Sequence, residues 1–295
     1  MRGLKFILDL VAGGQPFERR ESKTIDVTDY SHLNLRNANG NVTVEGTEGE
    51  KLVLTATKRV RASSKETGQR RLDQIDISVL REKPELTIAT DISRLQPRRK
   101  WSVDYEIRLP RYMPVSIKEF NGNVVVSKLR EKVTVETKNG NVRLFEITGE
   151  VDVKTTNGNL KLQDIEGSVD AKTTNGNINL FRIIGSVSAK TTNGNIRGEI
   201  TDFKKGDGSS LHSVNGNIKL RLPRDTSANL IAATKNGRIG CDIPMTIISQ
   251  KRNYLEGSMG SGEAKIELGT KNGNIKISAG NEPDKTAHMG NSSWE

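Results

Sequence analysis

Between Val135 and Gly198 the chain writes VETKNGNVRL, VKTTNGNLKL, AKTTNGNINL and AKTTNGNIRG, with the first Asn of each Asn-Gly-Asn at 139, 157, 175 and 193. The step is eighteen residues every time. A constant period of this length is the mark of stacked supersecondary units. Each Asn-Gly-Asn lies between short alternating segments. In VDAKT, Val169, Ala171 and Thr173 share one face while Asp170 and Lys172 share the other; past the turn, Ile178 and Leu180 share a face. Period two over four or five residues predicts strands. A second turn holding Gly149, Gly167 and Gly185 closes each unit, which then reads strand, Asn-Gly turn, strand, Gly turn.

Set beneath one another, the units form columns. Val133, Val151, Val169 and Val187 align, as do Thr137, Thr155, Thr173 and Thr191, and Val142, Leu160, Ile178 and Ile196. Identical register at every step is what stacked coils require, since each residue then lies roughly 4.8 Å from its counterpart. The expected fold is an all-β solenoid, parallel β-helix or β-roll-like, with rungs of about eighteen residues. An antiparallel meander of hairpins is the rival, but it would not need every unit to keep one length and polarity. The turn residues Asn139, Gly140, Asn157, Gly158, Asn175, Gly176, Asn193 and Gly194 are expected at the corners. Asn and Gly both tolerate positive φ there, and the Asn side chains are expected to hydrogen-bond in a ladder. Only 4% of the chain is aromatic, which suits a core of stacked Val, Ile, Leu and Ala.

Fainter rungs lie at 33–41 and 115–123 before the repeat, and at 211–217, 231–239 and 266–277 after it, with loops bulging at 204–208 and 245–262. Between 39 and 121 there is no Asn-Gly-Asn; longer alternating strands, a candidate helix in SSKETGQRRLDQ and the basic loop RLQPRRKW replace it. Such a stretch suits a cap against edge-to-edge association. The expected organisation is an N-terminal segment of unassigned structure over 1–23, one solenoid domain over 24–280 (cap-like strands 24–114, rungs 115–280) and a disordered tail over 281–295.

Net charge is +10, from 46 Lys and Arg against 36 Asp and Glu. Two outward columns concentrate it: Arg143, Lys161, Asn179, Arg197 and Lys219 four residues after the first Asn of the turn, and Lys154, Lys172 and Lys190 three before it. A linear polyanion could lie along such a ladder and release counterions; a solvated face is the plainer reading. A second basic concentration, over 58–100, ends in Arg98, Arg99 and Lys100 with Trp101 adjacent. All eleven of these residues, Asn179 aside, are candidate ligand contacts.

The long-stranded N-terminal part, the rungs of the form AKTTNGNI, and the closing IELGTKNGNIKI together resemble the toastrack family of adhesin-like β-solenoid domains, over roughly residues 24–279. The resemblance implies a binding role at the cell envelope, sometimes tied to membrane stress. The start MRGLKFILDLVAGGQPF shows no clear signal peptide, since Asp9 interrupts its apolar run. On that ground the location reads as cytoplasmic or membrane-peripheral, and by resemblance as envelope-associated.

No residues are assigned to catalysis, metal or cofactor. The three histidines are scattered, the single cysteine excludes a disulfide within the chain, and no P-loop, nucleophile elbow or dinucleotide fingerprint occurs. Asp152 and Asp170, one period apart, leave open a polysaccharide-active β-helix, although their Lys neighbours would hold both ionised. Turns carrying Asn and Thr speak against calcium β-roll binding, and few aromatics stand near the basic stretch to stack nucleic acid. The reading is therefore a non-enzymatic binding or scaffold protein contacting an anionic membrane surface or acidic glycan. A self-assembling structural module is the alternative, and the β-helix enzyme comes third.

Overall fold

The structure, a computed structural model, describes residues 14–95, 100–203 and 206–280. The expectations for residues 1–13, for Arg98 and Arg99, and for the tail from 281 lie outside the described residues. Among them the chain is nearly all β, arranged as two long sheets.

At the amino-terminal end come β1 (Gln15–Asp26), β2 (His32–Arg36), β3 (Val42–Thr47), β4 (Lys51–Ala62), helix α1 (Lys65–Asp73), β5 (Asp76–Glu82), β6 (Glu85–Asp91) and β7 (Trp101–Pro110). The rungs follow as strand pairs: β8 (Val115–Asn121) with β9 (Val124–Leu129), β10 (Val133–Asn139) with β11 (Val142–Thr148), and β12 (Val151–Asn157) with β13 (Leu160–Glu166). Next are β14 (Val169–Asn175) with β15 (Ile178–Ile184), β16 (Val187–Asn193) with β17 (Ile196–Asp202), and β18 (Gly208–Asn215) with β19 (Ile218–Leu222). The carboxyl-terminal part holds β20 (Ala228–Asn236), β21 (Ile239–Cys241), β22 (Thr246–Lys251), β23 (Tyr254–Met259), β24 (Ala264–Asn272) and β25 (Ile275–Ala279).

The first strand of each rung joins sheet B and the second joins sheet A, and like strands of successive rungs pair in parallel with an eighteen-residue offset. The meander reading fails on that pairing. Val133, Val151, Val169 and Val187 do form one buried column, and Val142, Leu160, Ile178 and Ile196 another. The aliphatic interior is continuous from Ile25 to Ile277.

The Asn-Gly corners behave differently from expectation in one respect. At the four corners of the regular repeat neither Asn nor Gly takes positive φ, although Gly40, in the Asn39-Gly40-Asn41 corner, does. Glycine is required by close approach: a Cβ on Gly158 would meet the Gly140 carbonyl oxygen at 1.9 Å, and Gly176 and Gly194 are crowded in the same way. Positive φ is found instead at the second turn, in Gly149, Gly167 and Gly185, and at the bend column Lys128, Glu146, Asp164 and Arg182. The bend shifts the alternation, so that Leu144 and Ile147 both face inward.

The asparagine ladder is present. From Asn121 through Asn139, Asn157, Asn175, Asn193 and Asn215, each Nδ2 donates to the Oδ1 of the Asn one rung earlier, at 2.8–2.9 Å. A second series uses the other Asn of the turn, whose Oδ1 accepts the next rung's backbone N–H, as in Asn159 N–H to Asn141. Thr155, Thr173 and Thr191 face inward and donate to the carbonyls of Gly140, Gly158 and Gly176.

Spatial order departs from chain order at both ends. Asn39 stacks directly on Asn121, so the chain between them leaves the stack and returns. On return β6 pairs with β2 and β7 with β3, and Asp104 of β7 accepts the Asn41 N–H at 2.8 Å, in the role the turn Asn plays elsewhere. Beyond them β1 pairs with β4 antiparallel over its whole length, so the expected boundary at 23/24 falls inside a strand. As the outer strand it carries Glu18, Arg19, Arg20, Glu21 and Lys23, a charged edge that resists further strand addition. The candidate helix forms. Ser64 caps it by accepting the Thr67 N–H, and Leu72 and Gly68 are its buried residues, Gly68 lying flat on the Phe17 ring.

At the other end β24 lies between β18 and β20, although it follows both in the chain. The ladder runs the same way, Asn272 donating to Asn215 and Asn236 to Asn272, each at 2.7 Å. Arg238 explains the order. It stands where other rungs have the second Asn and donates its N–H to Asn274, but it offers no side-chain acceptor to a further rung. The rung that cannot pass the ladder on is the terminal one. Residues 245–262, expected as a loop, instead contain the β22–β23 hairpin, which extends sheet B through β20.

Candidate functional site

On β12, β14 and β16 the residue three before the turn's first Asn points outward, because the Val or Ala before it and the Thr after it are buried. Lys154, Lys172 and Lys190 are therefore direct cross-strand neighbours on β12, β14 and β16, all exposed. Their backbone spacing puts three ammonium stems within ~10 Å. Glu136 precedes them and His212 follows. The acidic neighbours lie one outward position away: Asp152 and Asp170 are paired across β12 and β14, and Lys172 Nζ donates to Asp170 Oδ2 at 2.6 Å. That hydrogen bond, ahead of the carboxylate's charge, holds the Lys172 ammonium above the usual lysine range. Among the described residues Lys154 and Lys190 have no ion-pair partner.

Arg143, Lys161, Arg197 and Lys219 occupy sheet A, so the two basic columns face away from one another on different sheets. Arg143 neighbours Lys161 and Arg197 neighbours Lys219, with Asn179 between the two pairs. Lys161 extends over the Phe181 ring, 5.9 Å from its centroid. Lys276 continues the column past Lys219 and pairs with Asp242 at 3.4 Å.

The third candidate group is described only at Lys100 and Trp101. Arg98 and Arg99 lie outside the described residues, and Lys100 is exposed with φ 60°. Trp101 is a correction. It opens β7 on an inward position, is 8% exposed and packs in the aliphatic interior, so its indole cannot stack on a ligand from solvent. In the basic stretch before it Lys58 is buried against Glu21 at 2.6 Å, Arg59 pairs with Glu18 and Asp104, and Lys83 pairs with Asp29 at 2.7 Å.

Two lysines outside the columns matter. Lys235 and Lys271 stand one residue before the turn's first Asn on β20 and β24, where the middle rungs have threonine. Aligning the fainter rungs on their Asn-Gly would have shown this second outward column. Together with Lys190 and His212 they rim a shallow depression of about 570 Å³. Among the described residues, no three His, Cys, Asp or Glu side chains converge as metal ligands, and no helix is long and apolar enough to cross a membrane.

The architecture is shared with a known family: the family model described as Toastrack DUF4097 matches residues 30–278. The chain belongs to the toastrack family. Among solved toastrack-like structures, a "putative adhesin" from Bacteroides fragilis superposes with a TM-score of 0.50 at 15% identity, covering 88% of this chain and 97% of that one. A "putative adhesin" from Parabacteroides distasonis has a TM-score of 0.48 at 14% identity, with the same coverage of 88% and 97%. At 15% identity the likeness to the Bacteroides fragilis structure is one of fold. No curated protein matches the toastrack chain in sequence.

Proposed function

We propose that the protein is a non-enzymatic, adhesin-like binding module whose sheet B face meets an anionic membrane surface or an acidic glycan at the cell envelope. The observation that supports this is the in-register column Lys154, Lys172 and Lys190, exposed on three adjacent strands of a rigid stack. A stack holds its cations at a repeat set by the backbone, so a linear polyanion meets them without the entropy cost of gathering flexible side chains from separate loops. The charge contacts are solvent-exposed, so binding falls steeply with salt.

Co-sedimentation with anionic vesicles, and separately with an acidic glycan, tests the reading at low and high salt. Lys154→Glu/Lys172→Glu/Lys190→Glu is expected to abolish the low-salt binding, whereas Arg197→Glu/Lys219→Glu on sheet A keeps it. Equal loss in both variants would reduce the effect to net charge and sink the assignment of a face.

A second reading, self-assembly, is favoured by one feature. Ile247 and Ile248 are 52% and 65% exposed on β22, the outer strand of sheet B at the carboxyl-terminal end. Sedimentation velocity across a concentration series separates the two readings, since association through Ile247 and Ile248 would persist at high salt.

A further inference from the structure

Where the lysine column of sheet B ends, the surface sinks. After Lys190 and His212 the same outward position is Gly269 on β24 and Ala233 on β20. The missing side chains make the floor of the depression of about 570 Å³, and Lys190, His212, Lys235 and Lys271 stand at its rim. The His212 ring lies across Gly269 so closely that a Cβ there would come within 2.4 Å of Nδ1. No carboxylate is among the lining residues. The threonines beneath are occupied, Thr270 donating to the Gly216 carbonyl and Thr234 to that of Gly273. Among the described residues Lys190, Lys235 and Lys271 have no ion-pair partner.

We propose that this basin binds a phosphomonoester group. Lysines from three different strands line one floor, and the nearest carboxylate, Glu267, which acts on His212 from outside the lining, is paired with Lys265 at 2.6 Å, so a phosphate dianion gains more here than a singly charged carboxylate. The imidazole of His212 adds a ring N–H donor at the rim. With no Phe, Tyr or Trp in the lining, recognition is of the charged group and not of a base held between large aromatic rings. The basin depends on the crossover at the carboxyl-terminal end. Because β24 enters between β18 and β20, Gly269 and Lys271, and not Ala233 and Lys235, come to lie on the strand beside His212. The basin continues the face proposed for polyanion binding, yet it uses two lysines which that proposal does not.

The test titrates the full chain with glycerol phosphate, and with phosphatidylcholine vesicles containing phosphatidic acid, which present the same group free and in a bilayer. The readout for the soluble probe is the NMR signal of the His212 ring; His32, the other described histidine, is hydrogen-bonded to Ser116 in the amino-terminal part and serves as control. Glycerol phosphate is expected to shift His212 saturably and leave His32 unchanged. Lys235→Ala/Lys271→Ala is expected to weaken that binding about tenfold or more, a loss of roughly 1.4 kcal/mol or more. Gly269→Ala, which changes no charge but fills the floor and displaces the imidazole, weakens it as well. Lys154→Glu/Lys172→Glu leaves it within about twofold, so failure of the polyanion face and failure of the basin are read separately. Vesicle binding lost in Lys235→Ala/Lys271→Ala assigns the group to a lipid headgroup; a response to glycerol phosphate without vesicle binding assigns it to a soluble ester or glycan. No saturable shift together with no vesicle binding that depends on Lys235 and Lys271, or an equal shift in the double variant, overturns the proposal.

Discussion

On β12, β14 and β16 the inward site two before the turn is Thr155, Thr173 or Thr191, and each hydroxyl donates to a glycine carbonyl of the preceding rung. On β8, where the repeat meets the amino-terminal strands, the same site holds Glu119. Its Oε1 accepts the N–H groups of Phe120 and Asn121, and the carboxyl is buried beside the Asn37 amide. Thr137, between the two regimes, is buried with its hydroxyl unpaired. The middle rungs must repeat because each is both the donor and the acceptor surface for its neighbours. At the junction that demand lapses on one side, and a titratable group can enter. Regularity here is imposed by neighbours on both sides, and irregularity marks where one neighbour is of another kind.

Four measurements would break or sharpen that contrast. The largest effect is expected from Gly158→Ala, whose Cβ has a backbone carbonyl oxygen at 1.9 Å and nowhere to go. A loss of about 3 kcal/mol or more in urea unfolding is expected from such overpacking. Survival at wild-type stability would mean the stack can open at a corner.

Next is the pH dependence of the junction. Burial, ahead of any other influence, pushes the Glu119 carboxyl up to about 7 from 4.5, against hydrogen bonds from Asn37, Phe120 and Asn121 that pull it down. The folded state therefore keeps a proton that the unfolded chain releases. Glu119's contribution is fully present below about pH 4.5 and is lost as pH rises through about 7. The difference amounts to about 3 kcal/mol. Unfolding midpoints at several pH values should show this slope, and Glu119→Gln should flatten it, whereas Thr155→Val in a middle rung leaves the slope as in wild type.

Smaller is the ladder. Asn157→Ala removes two side-chain hydrogen bonds of 2.8 Å, one given to Asn139 and one taken from Asn175, for an expected cost of about 1–2 kcal/mol. Asn39→Ala, at the ladder's end, removes only the bond from Asn121 and should cost about half as much. Equal costs would show that the ladder does not act bond by bond. The smallest is Gly240→Ala on β21, where a Cβ meets nothing within 4 Å, with an expected change within about 0.5 kcal/mol.

The repeat made the rungs legible because stacking copies one local pattern, so VDAKTTNGNIN predicts its own strands, corners and inward columns. It also showed why Lys154, Lys172 and Lys190 would be neighbours, since residues one period apart must be. Two things misled. Asn-Gly suggested positive φ, while the corners need glycine for clearance between rungs, which is a property of the stack and invisible in one turn. Trp101 beside basic residues suggested an exposed contact, but strand alternation in β7 turns it inward.

Sequence alone determined the rung, its length and the faces of its strands, since these follow from periodicity within reach of one turn. Tertiary structure alone decided which rung lies on which where the period breaks. Between Asn39 and Asn121, and again between Asn236 and Asn272, the chain leaves the stack and returns. The partner of a returning strand is then chosen by which free edge can satisfy its hydrogen bonds and ladder. That choice set β24 between β18 and β20, and so brought Gly269 and Lys271, in place of Ala233 and Lys235, to the strand beside His212.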